Sequence, residues 1–262
     1  MPVGVEVREI QLHTCEKDTF GSREGTDVDG IVVHTTDCAG FPRATSVKTP
    51  KEISFLKRIC DRAVDLPGLK KEQASYVCDL ASADGSISDS LRLCVQAAGL
   101  PRTASWNYCV GSQAMESTGT VDIVEFIPPD LQAHHCGSLG GSVNKRSVGI
   151  ENCYPGALSK RLTEAEATAI YEDWGWPAPS LLVGPDGVRR WYSPMEGMAF
   201  GALVALCTSL VRRYPKMYWI APHNLFAPNR RIDPDPPVDL DRLRSLVSQV
   251  TGRQLATSPR RQ

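Results

Sequence analysis

Two short stretches of this chain carry residue types that can do chemistry. The late segment APHNLFAPNRRIDPDPP places His223 and Asp233 ten residues apart in a loop punctuated by prolines. The early segment DGIVVHTTDCAG puts His34 at the end of the apolar run Ile31-Val32-Val33. Two imidazoles and one carboxylate suffice to hold a zinc ion with one position left for water. His34, His223 and Asp233 are therefore candidate metal ligands, and the chemistry they suit is hydrolysis. The same donor set also forms the facial triad of iron oxygenases. There the carboxylate follows closely on the first histidine, whereas here it lies ten residues after the second, which disfavours iron.

These residues need a scaffold to bring them together. Segments rich in β-branched or aromatic residues predict strands at Gly30–His34, Trp106–Gly111, Val121–Ile127 and Val148–Asn152. The turn SQAMESTGT joins the second and third as a hairpin. Capping residues predict helices opening at Thr49–Glu52, at Ser88, at Thr163 with Glu166, at Ser193–Glu196 and at Asp239. The fourth is the longest, with Leu203, Leu206, Leu210 and Val211 as its apolar stripe; it ends before Pro215. The fifth turns Leu243, Leu246, Val247 and Val250 inward and stops at Gly252. Strands and helices mixed in this way imply an α/β fold, a central sheet covered by helices. The segment WGWPAPSLLVGPDGVRRWY (174–192) interrupts the pattern as an inserted hairpin whose exposed aromatics could line a groove.

At 262 residues the chain can bury a full core, and 42% hydrophobic with 23% charged residues is ordinary for a globular protein. A net charge of -1 offers no electrostatic case for nucleic acid or an anionic membrane. No apolar run approaches the roughly 18–20 residues that span a bilayer. The first residues carry acids where a secretory signal has a basic end and an apolar stretch, so synthesis and folding in a cytoplasm are expected. A compartment of synthesis does not fix where the protein acts. The nine cysteines include no CxxC pair and are expected to be buried, reduced, small hydrophobes. Cys136 beside His135 could be an activated thiolate, but neighbours on a strand point to opposite faces, which argues against the pair. Cys38, four residues past His34, could approach the metal, and is also read as structural.

Four blocks in this order resemble the zinc-dependent N-acetylmuramoyl-L-alanine amidases of type 2, a family that includes bacterial and phage wall hydrolases and animal peptidoglycan recognition proteins. VVHTT is similar to the family's first zinc-histidine strand. WNYCVG, then VDIVEFIPPDLQAHHCG, resemble its hairpin and its aromatic-His-Ala-Gly signature. SVGIENCYPG resembles its Ser-aliphatic-Gly-aliphatic-Glu strand, and PHNLFAPNRRIDPDPPVDL its final histidine-to-acid loop. The blocks span Gly30 to Leu246.

The resemblance implies a type 2 amidase-like α/β fold, with a central mixed β-sheet flanked by helices and an inserted segment around 174–192. It implies a zinc amidase domain over 30–252, an N-terminal extension at 1–29 packing on it, and a loose tail at 253–262. Zn2+ is implied on His34, His223 and Asp233, with Glu151 as the catalytic glutamate. Arg231 stands where many members carry a lysine facing the substrate carbonyl, although neighbouring Arg230 could take that place. His135 and Asn107 are implied on the substrate side. The glycine usual after the loop's proline is Asn229 here. The implied reaction is hydrolysis of the amide between N-acetylmuramic acid and L-alanine, with zinc polarising the carbonyl and acidifying water. Glu151 would move the proton and Arg231 would steady the oxyanion. The implied partner is peptidoglycan or its muropeptides, with no nucleic acid, no membrane and a monomeric chain. A noncatalytic peptidoglycan-binding module of the same fold is the alternative. Filled ligand positions favour the enzyme, and the arginine keeps the binder open. A recycling amidase, an endolysin and a delivered antibacterial effector all fit the sequence.

Overall fold

Eleven strands and five α-helices are defined in a computed structural model that describes residues 6–11, 20–37, 88–98, 105–114, 118–136, 141–195, 197–228 and 231–259. The central sheet contains six of the strands. They are β1 (Val7–Gln11), β3 (Gly30–Asp37), β4 (Tyr108–Ala114), β5 (Val121–Glu125), β7 (Ser147–Tyr154) and β11 (Trp219–Pro222), in the order β1-β5-β4-β7-β3-β11. All neighbours run parallel except β4 and β5, which form the hairpin expected from the turn, with an irregular register between Val110 and Ala114.

The sheet is buried on both faces, which is why its strands read as continuous apolar runs rather than strict alternation. On one face Ile31, Val33, Val110, Ile123, Val148 and Ile150 pack with α4 (Gly197–Arg213) and α5 (Leu240–Thr251). On the other, α1 (Asp89–Ala98) covers β4 and β5. Two small strands, β2 (Phe20–Gly21) and β6 (Gln132–Ala133), pair antiparallel, and α2 (Gly141–Arg146) leads directly into β7.

Several helix boundaries follow from caps. At α3 (Glu164–Asp173) both halves of the capping box form, between Thr163 and Glu166. Asp239 accepts from the Arg242 amide at the start of α5, and Gly252 ends it at φ 70°, a conformation open to glycine. The Ser193 box does not form. Ser193 lies four residues before α4 begins, and its hydroxyl donates to the Pro177 carbonyl instead. Val250, expected inward on α5, is 41% exposed. The helix expected at Thr49–Glu52 lies outside the described residues, as do Cys38, Asn229 and Arg230.

Three further segments are placed by the structure. The 1–29 extension contributes β1, an integral edge strand whose Arg8 forms a two-pronged pair with fully buried Asp122 at 2.7 and 2.6 Å. The 253–262 tail is docked at its start: the Ala256 amide donates to Tyr218 and its carbonyl accepts from Ile220, alongside β11. The 174–192 segment does form a hairpin, of β9 (Ser180–Val183) and β10 (Arg189–Tyr192), joined by β8 (Leu158–Ser159). Its aromatics are not exposed. Trp176 and Tyr192 are buried against Tyr154 and Tyr171, with Trp174 and Trp191 partly buried around them, so they form a small core of their own.

Candidate metal centre

Alternation along β3 decides where His34 goes. Ile31 and Val33 enter the helix-covered core, so Val32 and His34 project from the opposite face. In the parallel register His34 is level with Glu151 of β7, which places the two side chains on the same face of adjacent strands. β11 lies on the other side of β3, pairing Ala221 with Val32 and Pro222 with Val33. The chain then enters a short 3-10 turn, His223–Leu225, that sets His223 beside His34. Gly30 is required at the base of this arrangement, because a Cβ there would meet the Trp219 ring at 1.8 Å.

His34 Nδ1 lies 2.9 Å from His223 Nδ1, and Asp233 Oδ2 lies 2.9 Å from His223 Nδ1 and 3.3 Å from His34 Nδ1. The chain carrying Asp233 is tied down at Asp233 and at Asp235. The Asn224 amide donates to the Asp233 carbonyl, and Thr35 exchanges hydrogen bonds with Asp235, its hydroxyl donating to the carboxylate and accepting from the amide. Burial lowers the His34 pKa to about 4, outweighing the opposing pull of Asp233; the nearby His223 and Arg231 lower it further. His34 is thus a neutral imidazole near pH 7, the form that binds metals. Burial would raise the Asp233 carboxyl, but the adjoining His223 and His34 rings hold it well below the usual carboxylate range.

A relay behind His34 assigns its tautomer. The Ser147 hydroxyl lies 2.6 Å from the Val143 carbonyl, which can only accept, so Ser147 donates there. His135 Nε2, 3.1 Å from the same hydroxyl, must then carry a proton, which leaves His135 Nδ1 as a lone pair. His34 Nε2 lies 3.2 Å from that lone pair and donates to it. His34 Nδ1 is consequently a lone pair aimed at His223 and ionised Asp233. The His34 lone pair and an ionised carboxylate converging beside His223 suit a cation. The separations lie near the edge of about 3.3 Å expected for nitrogen and oxygen ligands around tetrahedral zinc at about 2.0–2.1 Å. The residues therefore fit zinc, and a histidine ligand oriented through its second nitrogen is the usual arrangement around such ions.

The relay corrects one expectation. His135 is only 7% exposed, with both ring nitrogens engaged inside the protein, so it orients His34 rather than touching substrate. Burial, followed by the proximity of His34, holds its pKa well below the ordinary value. Its ring lies over Gly149, where a Cβ would approach within 2.5 Å. Asn107 is corrected likewise. It is fully buried, donating to the carbonyls of Ile127, Pro128 and Leu131 and accepting from the Gly149 amide, and so it braces the loop before β6. Arg23 was missed in the sequence. Its buried guanidinium donates to the carbonyls of Pro129, Asn144, Lys145 and Ser147, drawing the segments around His135 together. Nothing in its local sequence signals this. Cys136, argued against as a partner of His135, places its sulfur 3.3 Å from His135 Nδ1. The strand alternation behind that argument does not apply, because β6 ends at Ala133.

Glu151 is buried at 9% exposure, on the strand beside His34. Arg231 is exposed, at the rim, with its amide bonded to the Ala227 carbonyl. The arrangement sets three donor atoms, able to hold a metal, beside a shielded carboxylate, with an exposed cation nearby.

Residues 24–236 match the family model for N-acetylmuramoyl-L-alanine amidase, and the chain belongs to that family. Among solved structures it is similar to the N-acetylmuramyl-L-alanine amidase AmiD from E. coli, at 16% identity over 88% of this chain and 66% of that one, TM-score 0.47. It is also similar to AmpDh3 from Pseudomonas aeruginosa, at 15% identity over 86% of this chain and 60% of that one, TM-score 0.43. A mutant endolysin from Bacillus subtilis is similar at 14% identity over 93% of this chain and 99% of that one, TM-score 0.41. The chain thus spans about two thirds or less of the two bacterial amidases' lengths. No curated protein matches it.

Proposed function

We propose that this protein hydrolyses the amide between the lactyl group of N-acetylmuramic acid and L-alanine in peptidoglycan or its fragments, with zinc held by His34, His223 and Asp233. The observation that carries this reading is the meeting of His34 Nδ1, His223 Nδ1 and Asp233 Oδ2 on the face where Glu151 projects. Membership of the amidase family supports it. AmiD, whose structure holds a substrate of anhydro-N-acetylmuramic acid and a short peptide, supports the choice of substrate class.

Zinc held there would supply a Lewis acid to polarise the scissile carbonyl and to make water acidic enough to attack near neutral pH. The protein's own groups do the rest. Glu151 accepts a proton from the attacking water and passes one to the leaving nitrogen, a task suited to a carboxylate sheltered from solvent. Arg231 faces the negative charge that grows on the carbonyl oxygen; its guanidinium keeps the charge that a lysine would bring and adds a planar pair of donors. The His135 relay turns the His34 lone pair toward His223 and Asp233, where a metal would be held.

The test is mass spectrometry of products after incubating the zinc-loaded protein with purified muropeptides, with and without a chelator. The expected result is chelator-sensitive release of a free peptide beginning at L-alanine. Muropeptides left intact under both conditions would overturn the hydrolase and leave a binding module.

A further inference from the structure

His34 is shared by two clusters of donor atoms. Its Nδ1 faces His223 and Asp233, while its Nε2 faces His135 Nδ1 at 3.2 Å, and Cys136 Sγ lies 3.3 Å from that same nitrogen. The three donor atoms of the second cluster, one each from His34, His135 and Cys136, lie within 4.8 Å of one another. Tetrahedral zinc would separate two nitrogen ligands by about 3.3 Å and a nitrogen from a thiolate by about 3.6 Å, given metal–ligand bonds of about 2.0–2.1 and 2.3 Å. The His34–His135 and His135–Cys136 contacts are within about 0.3 Å of those edges.

The cluster is built into the fold. Its three residues are 3%, 7% and 2% exposed. The Cys136 amide is held by Asn144 Oδ1 at 2.9 Å, which fixes the turn that presents the sulfur. The Ser147 hydroxyl keeps the His135 proton on Nε2, so His135 offers a lone pair at Nδ1 rather than a competing proton. In the metal-free arrangement both the His34 Nε2 proton and the sulfur converge on that single lone pair.

We propose that His34, His135 and Cys136 form a second metal position, selective for thiophilic ions such as Cd2+ or Cu+, that competes with the hydrolytic position for His34. A neutral imidazole has one lone pair and one N–H. When His34 ligates through Nδ1, its proton is on Nε2 and is donated to His135. When it ligates through Nε2, the proton moves to Nδ1 and is donated to Asp233 Oδ2, 3.3 Å away. Cys136 gives its thiol proton to solvent as it becomes a thiolate ligand. One ion therefore excludes the other, and a thiolate favours the softer metal. Occupation of the second position removes His34 from the hydrolytic one. The proposal rests on the zinc reading only for this last consequence, since the donor cluster exists independently of any activity.

The experiment is titration of metal-free, full-length protein with Co2+ and Cd2+ while following thiolate-to-metal charge-transfer absorption. Wild type is expected to develop this absorption. His223→Ala, which dismantles only the hydrolytic position, is expected to keep it. Cys136→Ser and His135→Gln are each expected to lose it. The remaining cysteines serve as internal controls, so undiminished absorption in a folded Cys136→Ser or Cys136→Ala protein would overturn the site. Absence of the band in wild type would overturn it equally. If hydrolysis is established separately, the Cd2+ concentration that halves each variant's own rate should rise at least tenfold in Cys136→Ser; an unchanged value would refute competition through His34. Failure of hydrolysis alone would leave the absorption test intact.

Discussion

His34 and His223 face each other through their Nδ1 atoms across 2.9 Å, although 189 residues separate them in the chain. The contact exists because β11 pairs with β3 in a register that ends with Pro222 beside Val33, so that the next residue turns toward His34. Everything proposed for the metal follows from this meeting and from the proton relay behind it.

His223→Ala removes one ligand and leaves His34 and Asp233 without the third donor. Metal content by atomic spectroscopy should fall to background and hydrolysis by at least about 10³-fold, since several kcal/mol of charge stabilisation go with the ion. A variant with full metal and full rate would place the site elsewhere.

Glu151→Gln keeps the shape of the side chain but cannot accept a proton from water. The expected result is undiminished metal content with kcat lowered by about 10²–10⁴-fold. Turnover at the wild-type rate would assign the base to another group.

Arg231 is tested by two changes. Arg231→Met should lower kcat by about 10²–10³-fold through loss of the oxyanion's partner. Arg231→Lys should fall between wild type and Met, because it restores the charge without the planar fork. Equal rates for all three would show that the rim cation plays no part.

Gly149→Ala probes the relay without touching a ligand. Its Cβ would lie 2.5 Å from His135 Cγ, so the ring must shift. The cost to stability should be about 1–3 kcal/mol by denaturant unfolding. Metal affinity should weaken about 10–100-fold as His34 loses its orienting partner. Loss of stability with metal affinity intact would separate His135 from the metal.

The pH dependence of the metal-free protein has a definite sign. The His34 pKa falls from its ordinary 6.5 to about 4 through burial, and His135 moves in the same direction. Both pay no penalty above pH 6.5, where folded and unfolded forms are neutral. As pH falls from 6.5 toward 4 the unfolded chain takes up more protons, so stability is lost across that window, by about 3 kcal/mol for His34. Asp233, depressed from 3.8, keeps its stabilising contribution there and loses it only at lower pH. Urea unfolding at pH 7 and pH 5 should show the loss; constant stability would mean the histidines are solvated.

The sequence by itself was sufficient for features whose cause is local. β-branched runs marked four strands of the central sheet, a Thr163–Glu166 box opened α3, and Asp239 and Gly252 bounded α5. Four ordered blocks carried the family and nominated His34, His223 and Asp233, the three side chains that the fold brings together. The tertiary structure alone decided which nitrogen of each histidine faces which partner, because those separations depend on pairing between strands far apart in the chain. It drew β1 into the sheet, where a single edge partner and the Arg8–Asp122 pair, 114 residues apart in sequence, hold it. It also moved Asn107 and His135 from the substrate side into the interior. Each is a polar residue whose hydrogen-bonding groups are satisfied by backbone or side chains brought in from elsewhere in the chain. Residue type can nominate such a group, but its partners, and hence its role, exist only once the strands have paired.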